Sequence, residues 1–123
     1  MTDDPPLILI VEDDALVQLV AIDLLEEQGF RIQAASSAEE AVHALQSRRD
    51  KIDVLFTDIN LGPGPNGFEL ARRARELRPE IRIVYASGAP QKDRTAQEAP
   101  GSAYLQKPYA IDQVVRAVSG KAG

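Results

Sequence analysis

Residues 7–14 read Leu7-Ile8-Leu9-Ile10-Val11-Glu12-Asp13-Asp14, so five apolar residues run directly into three acidic ones. A fully apolar run of this length is too short for a helix and is typical of a central strand covered on both faces. The acidic residues then lie where the strand leaves the sheet. The stretch therefore predicts a buried parallel strand with carboxylates at its carboxyl end.

The rest of the chain alternates short apolar runs with helical spacing, in five cycles typical of a parallel sheet with helices on both faces. Further strands are predicted at Phe30–Ala34, Val54–Phe56, Ile81–Ala86 and Ala103–Leu105. Apolar residues at i, i+3, i+4 spacing predict the buried stripes of four helices: Val17, Val20, Ala21, Leu24 and Leu25; Ala38, Ala41, Val42 and Leu45; Leu70, Ala71, Ala74 and Leu77; Ile111, Val114, Val115 and Val118. Gly29 is placed to end the first helix. The segment from Gln91 to Ala99 is nearly all polar, so any helix there is short.

Length and composition favour one ordinary globular domain. The chain has 123 residues, of which 44% are hydrophobic and 27% are charged. Five residues follow Val118. We therefore expect one domain over residues 1–123, with a core of about residues 7–119 and no output domain.

Charge and residue usage exclude several classes of function. The 14 basic and 19 acidic residues give a net charge of −5, which disfavours binding to nucleic acid and to anionic membrane surfaces. Cysteine is absent, which excludes thiol catalysis and disulfides. The five-residue apolar run Leu7–Val11 follows acidic rather than basic residues, so neither a signal peptide nor a membrane span is predicted. We expect a soluble cytoplasmic protein.

Residues that can carry chemistry follow four of the predicted strands. In strand order they are Glu12, Asp13 and Asp14; Asp58; Ser87 and Gly88; and Lys107 with Pro108. If the first and third strands are neighbours, several carboxylates converge, and two like charges about 4 Å apart repel by roughly 4 kcal/mol at an effective dielectric of about 20. One lysine can neutralise only one carboxylate. A hard divalent cation, Mg²⁺, is therefore predicted at this edge of the sheet.

Simpler interpretations account for some of these residues. Capping of the first helix could explain Asp14 entirely, but it does not explain Asp58 or Lys107 at strand ends. Gly62, Gly64 and Gly67 fit the dinucleotide-binding spacing G-x-G-x-x-G. Pro63 and Pro65 lack the N–H groups that would hold a pyrophosphate, so we interpret this loop as a stiff turn. His43 lies off its helix's apolar stripe and is interpreted as a solvated side chain.

Together, these segments resemble the receiver domain of bacterial two-component response regulators, the CheY-like superfamily, from Leu7 to about Val118. The matching segments are residues 7–14, Asp58-Ile59-Asn60, Ser87-Gly88 and Tyr104-Leu105-Gln106-Lys107-Pro108-Tyr109. Glu12 stands where aspartate is commonest in that family, which keeps the charge. The resemblance implies a flavodoxin-like (βα)5 fold, a doubly wound five-stranded parallel sheet in the order 2-1-3-4-5.

The resemblance also implies roles for individual residues. Asp58 would accept a phosphoryl group from a phosphohistidine on a sensor histidine kinase or a phosphotransfer protein. Mg²⁺ would be held by Glu12, Asp13, Asp58 and the backbone carbonyl of Asn60. Ser87 and Lys107 would bind phosphoryl oxygens, and the Lys107–Pro108 peptide would be cis. Tyr104 would then move into the space that Ser87 vacates, changing a face that a downstream target protein reads.

We therefore predict a stand-alone phosphorelay switch that catalyses only its own phosphorylation and dephosphorylation and is not otherwise an enzyme. A carboxylate is a competent nucleophile for phosphoryl transfer when cations neutralise the charge on the equatorial oxygens. The alternative is a Mg²⁺-dependent phosphohydrolase that forms an aspartyl phosphate, but its motif needs an acid where this chain has Asn60. An inactive scaffold and a nucleotide-binding module are weaker alternatives.

Overall fold

The computed structural model describes residues 5–47, 49–88 and 97–119. They form one five-stranded sheet in the order β2-β1-β3-β4-β5, in which every neighbouring pair is parallel. The strands are β1 (Leu7–Val11), β2 (Arg31–Ala35), β3 (Val54–Asp58), β4 (Arg82–Ser87) and β5 (Ala103–Gln106). The helices in these ranges are α1 (Ala15–Glu27), α2 (Ala38–Gln46), α3 (Gly67–Leu77) and α4 (Ile111–Ser119).

The sheet separates two apolar cores, because successive residues of a strand point to opposite faces. Leu7, Leu9 and Val11 of β1 face the core that α2 and α3 cover. Ile8 and Ile10 face the other core, which contains Leu25 of α1 together with Val114, Ala117 and Val118 of α4. Helices therefore cover both faces, and the predicted doubly wound sheet and its strand order are confirmed.

Local interactions fix where the helices begin and end. The Ser37 hydroxyl accepts the N–H of Glu40 at the start of α2. Asn66 and Glu69 form a complete capping box at the start of α3. The guanidinium of Arg78, just after α3, donates to the carbonyls of Leu45 and Ser47 at the end of α2. The Arg78 contacts thus join the ends of α2 and α3 at the edge away from the carboxyl ends of the strands.

The predicted buried stripe of α1 is wrong. Leu25 is buried and Ala21 is half-buried, but Val17, Val20 and Leu24 are exposed. Nine of the eleven residues from Ala15 to Leu25 are apolar, so the spacing cannot show which side faces the sheet. In β2, likewise, the alternation of Phe30, Ile32 and Ala34 would bury Ala34, but Ala34 is exposed and Ala35 is buried.

Two further expectations concern helices. The predicted short helix between Gln91 and Ala99 falls largely on residues 89–96, which lie outside the described residues. None of the helices in the described ranges combines the length and the apolar character that crossing a membrane requires.

Candidate functional site

The carboxyl ends of β1 and β3 form the edge on which the candidate site lies. The two strands are neighbours, yet the chain continues from β1 to β2 on one side and from β3 to β4 on the other. Their connecting helices, α1 and α3, also cover opposite faces of the sheet. A crevice opens at such a reversal of strand order, and ligands of open parallel sheets bind there.

Three carboxylates meet in this crevice. Oxygen atoms of Glu12, Asp13 and Asp58 all lie within 4.8 Å of one another. Glu12 is buried, Asp13 is exposed and Asp58 is intermediate. Carboxylate oxygens are the ligands that hard divalent cations prefer, and a bound cation would relieve the mutual repulsion of the three groups. The donor set therefore fits a magnesium-like ion.

Lys107 brings one positive charge to the cluster. Its Nζ lies 3.1 Å from Glu12 Oε1 and 3.7 Å from Asp58 Oδ1. The Lys107 backbone N–H donates to the carbonyl of Ser87 at 2.8 Å, which continues the β4–β5 pairing beyond the end of β5. The Lys107–Pro108 peptide is cis. One ammonium against three carboxylates leaves the crevice negative, so it remains attractive to a cation.

The ionisation of Asp58 and Lys107 reflects this crowding. Burial raises the pKa of Asp58, the charge of Lys107 opposes that rise, and the carboxylates of Glu12 and Asp13 add to it, so the pKa lies above its ordinary value. Burial acts to lower the pKa of Lys107. The hydrogen bond that Lys107 donates to Glu12, together with the charges of Asp58 and Glu12, outweighs this effect, so the pKa of Lys107 is raised. Lys107 therefore stays protonated at neutral pH.

Glu12 and Asp14 have separate tasks. Glu12 Oε2 accepts the backbone N–H of Asp14 at 3.1 Å, while Oε1 accepts from Lys107, so both of its oxygens are held. Asp14 Oδ1 accepts the N–H groups of Leu16 and Val17 and caps α1. Asp14 thus has the capping role that the simpler interpretation gave it, and the metal cluster contains Glu12 and Asp13 instead.

The other predicted site residues surround this cluster. Ser87 ends β4 and is fully buried, one residue beyond Ala86, the register partner of Asp58. Tyr104 lies in β5 as the register partner of Tyr85 and is half-buried. Asn60 is exposed, two residues after Asp58. Their roles at the site stay predictions.

Sequence reasoning missed three residues at the site. Gln18 donates to the carbonyl of Glu12, and Tyr109 lines a small cavity with Asp58 and Lys107. Gly67 lies against the end of β3, because a Cβ on it would lie 2.5 Å from the carbonyl oxygen of Asp58. Spacing could have flagged Gly67 as a close approach, since it opens a helix after a strand. Nothing in the sequence identifies the contacts of Gln18 or Tyr109.

Comparison with known proteins agrees with this geometry. A family model described as the response regulator receiver domain matches residues 8–119. The response regulator receiver protein CpdR of Brucella abortus (strain 2308) is 31% identical over 113 residues, which cover 90% of this chain and 92% of CpdR. The sensor kinase CckA of the same strain is 27% identical over 114 residues, but that match spans only 12% of the kinase.

Solved structures extend the similarity to the fold. A response regulator receiver protein from Sinorhizobium medicae WSM419 superposes with a TM-score of 0.88 and 35% identity, covering 96% of this chain and 94% of that one. The receiver domain of the sensor histidine kinase PA1611 from Pseudomonas aeruginosa PAO1 has a TM-score of 0.80 and 26% identity, covering 94% and 95% of the two chains. That structure holds a magnesium ion in its active-site cleft.

Proposed function

The chain belongs to the response regulator receiver domain family, and on that premise we propose that Asp58 accepts a phosphoryl group, with Mg²⁺ held by Glu12, Asp13, Asp58 and the carbonyl of Asn60. The observation that carries the proposal is the convergence of three carboxylates within 4.8 Å, with the Lys107 ammonium 3.7 Å from Asp58. Phosphoryl transfer to a carboxylate requires the carboxylate as nucleophile and cations that neutralise the charge on the transferred group.

The chemistry follows from the positions of these groups. A carboxylate oxygen of Asp58 attacks the phosphorus of a phosphohistidine, an O–P bond forms, and the P–N bond breaks with its electron pair going to the imidazole. Lys107 is protonated and close enough to neutralise charge on the transferred group. Mg²⁺, when bound, supplies further neutralisation of the equatorial oxygens. Ser87 would donate a hydrogen bond to the acyl phosphate formed on Asp58.

The phosphohydrolase alternative is not favoured. The comparisons point to receiver domains, and the homologue CpdR is itself named as a receiver protein. Asn60 stands two residues after Asp58, where a hydrolase of that mechanism needs an acid. Asp58 would therefore carry a signal rather than turn over a substrate.

The surface of α1 supports a protein as the phosphodonor. Within the described ranges, the large apolar side chains that are exposed all lie in α1: Leu16, Val17, Leu19, Val20 and Leu24. Val17 also lines the small cavity beside Asp58 and Lys107, so this apolar surface borders the site. Exposed apolar surface of this kind marks interaction sites. We expect the histidine kinase or phosphotransfer protein to dock there.

We propose that β5, α4 and residues 97–102, just before β5, form the output surface. Tyr104 of β5 is half-buried and packs against the core that α2 and α3 cover. Tyr85 ties the segment to the sheet, because its buried hydroxyl accepts the N–H of Ala99 at 3.0 Å. Inward movement of Ser87 would open space for Tyr104, and a downstream protein would read the change.

Labelling with a small phosphodonor tests the assignment of Asp58. We expect radiolabelled acetyl phosphate and Mg²⁺ to label the wild type and not the Asp58→Asn variant. Asp23→Asn is the matched control, because Asp23 is an exposed aspartate of α1 outside the cluster. Equal labelling of Asp58→Asn and wild type would contradict the proposal.

A further inference from the structure

Gln18 joins the ends of two strands beside the acidic cluster. Its side-chain Nε2 lies 3.1 Å from the carbonyl oxygen of Glu12 and 3.0 Å from that of Ala35. Both neighbours can only accept hydrogen bonds, so the amide nitrogen, and not its oxygen, must face them. One NH₂ group therefore donates to both carbonyls.

Gln18 adds to a backbone hydrogen bond that continues the β1–β2 pairing beyond the strands. The last register pair of β1 and β2 is Val11 with Ala35, and the N–H of Glu12 then donates to the carbonyl of Ala35 at 3.1 Å. The Gln18 amide shares that carbonyl and adds the carbonyl of Glu12. Both the N–H and the carbonyl of Glu12 are thus hydrogen-bonded, at the point where the chain leaves the sheet.

The main chain at Glu12 and Asp13 carries two of the three clustered carboxylates. The carboxylate oxygens of Glu12 and Asp13 lie within 4.8 Å of that of Asp58, although the three carboxylates repel one another. The side chain of Glu12 is fixed by Lys107 and by the N–H of Asp14. Gln18 fixes the main chain from which Glu12 and Asp13 project, and a geometry fixed before binding lowers the cost of taking up an ion.

We propose that Gln18 is a positioning residue for the metal site. Its amide holds the Glu12–Asp13 main chain so that both carboxylates face Asp58 before the ion arrives. The inference rests on the proposed function, since it concerns the same Mg²⁺ site. Partners that orient metal ligands without touching the metal commonly contribute about 10- to 100-fold in affinity when intact.

A purely structural role makes a different prediction. If Gln18 only fastened α1 to the sheet, its loss would lower the free energy of unfolding and leave ion affinity unchanged. A positioning role affects Mg²⁺ more than Ca²⁺, because Mg²⁺ demands a near-ideal octahedron while Ca²⁺ tolerates irregular coordination. The ratio of the two affinities therefore separates the two roles.

The test compares the wild type with Gln18→Met, which keeps the length of the side chain and loses both donors. Mg²⁺ and Ca²⁺ dissociation constants are measured by calorimetry on the folded proteins, and stability by urea unfolding without metal. We expect the Mg²⁺ constant to rise about 10-fold and the Ca²⁺ constant less than about 3-fold. Gln46→Met on α2, an exposed glutamine far from the cluster, should change neither. Gln18→Ala serves as a second variant if Gln18→Met folds poorly.

The possible results distinguish this inference from the proposed function. A Mg²⁺ constant for Gln18→Met within about twofold of wild type would overturn the positioning role while leaving the metal site in place. An equal rise for both ions would also overturn it. Wild-type protein that bound neither ion would overturn the metal site, and the role of Gln18 with it.

Discussion

Asp58 and Glu12 show how two carboxylates in one crevice come to differ. Both oxygens of Glu12 accept hydrogen bonds, one from Lys107 and one from the N–H of Asp14. Asp58 is similarly shielded, with 13% of its side chain exposed, and its contact with Lys107 is longer, at 3.7 Å, beside a backbone hydrogen bond from Ile59. Lys107 is therefore closer to Glu12 than to Asp58, and the charge of Asp58 is the less closely paired with it. This difference suits the role proposed for Asp58, in which a bound cation would neutralise its charge.

Replacing Asp58 by asparagine should stabilise the protein at neutral pH in the absence of metal. The pKa of Asp58 is raised by burial above its ordinary value of 3.8, so the folded state binds the proton more tightly than the unfolded chain does. Stability is therefore lost as the pH rises from that value through the raised pKa. We expect Asp58→Asn to exceed the wild type by about 1 kcal/mol at pH 7, and the gain to shrink as the pH falls.

Urea unfolding at several pH values, with a chelator present, measures this difference. The exposed Asp23 provides the control, because Asp23→Asn removes a similar charge outside the cluster. The same gain for Asp58→Asn at pH 7 and at pH 4 would contradict the proposed origin in the ionisation of Asp58.

The acidic cluster and Lys107 could be found from the sequence because each follows an apolar run, and the carboxyl ends of parallel strands meet at one edge. Gln18 and Tyr109 could not. Their contacts depend on how a helix is rotated and where a loop folds back, which local spacing does not encode. Asn60 remains a prediction, because its proposed contribution is a backbone carbonyl and any residue type would supply one.

Among the elements, α1 shows what periodicity can and cannot establish. The end of α1 was predictable, because Gly29 follows the last apolar residues of the helix. In the structure, Gly29 has a φ of 93°, and the N–H groups of Gly29 and Phe30 donate to the carbonyls of Glu26 and Leu25. The buried side of α1 was not predictable, because apolar residues occur all round the helix. The excess of apolar residues on α1 is itself informative, because burial against the sheet does not require it. A partner that covers this face would account for it.

Loss of apolar surface from α1 should impair phosphotransfer and spare the fold. Leu16 and Leu19 are 71% and 56% exposed, so changing both to glutamine should alter the free energy of unfolding by no more than about 0.5 kcal/mol each. We expect the phosphotransfer rate from the cognate kinase, found by screening sensor kinases of the same genome, to fall about 10-fold or more.

Labelling by acetyl phosphate should stay at the wild-type rate in this double variant, because a small donor needs no docking surface. Gln46→Ala on the exposed side of α2 is the control for a helix-surface change. Unchanged phosphotransfer from the kinase would place the donor interface elsewhere.

The contact between α3 and β3 should be intolerant of a single methyl group. A Cβ on Gly67 would lie 2.5 Å from the Asp58 carbonyl oxygen and 2.8 Å from the Cα of Ile59, both backbone atoms that cannot rotate away. We expect Gly67→Ala to destabilise the protein by about 1–3 kcal/mol, the usual cost of overpacking. Thermal unfolding of each variant measures the loss. Gly88→Ala, where a Cβ meets nothing within 4 Å, should destabilise the protein far less. Equal losses would show that α3 can shift to make room.

For the whole molecule, fold class and strand order came from different information. Alternation of strand and helix patterns predicted a parallel sheet with helices on both faces, because each pattern is local. The order β2-β1-β3-β4-β5 concerns pairing between distant segments, and only the family resemblance supplied it. That order is what makes β1 and β3 neighbours, so it alone brings Glu12 and Asp13 to Asp58. The site is therefore a property of the topology as much as of its residues.

Mg²⁺ should consequently stabilise the whole domain, since the cluster exists only when β1 and β3 are paired. An ion that binds only the folded state raises the free energy of unfolding by about 2.7 kcal/mol at 100 times its dissociation constant. We expect that gain in urea unfolding of the wild type, and a much smaller one for Asp13→Asn at the same Mg²⁺ concentration. Asp13 is exposed, so its replacement leaves the packing intact. Asp23→Asn should keep the full gain. An equal gain in Asp13→Asn would mean that Mg²⁺ acts elsewhere on this acidic protein.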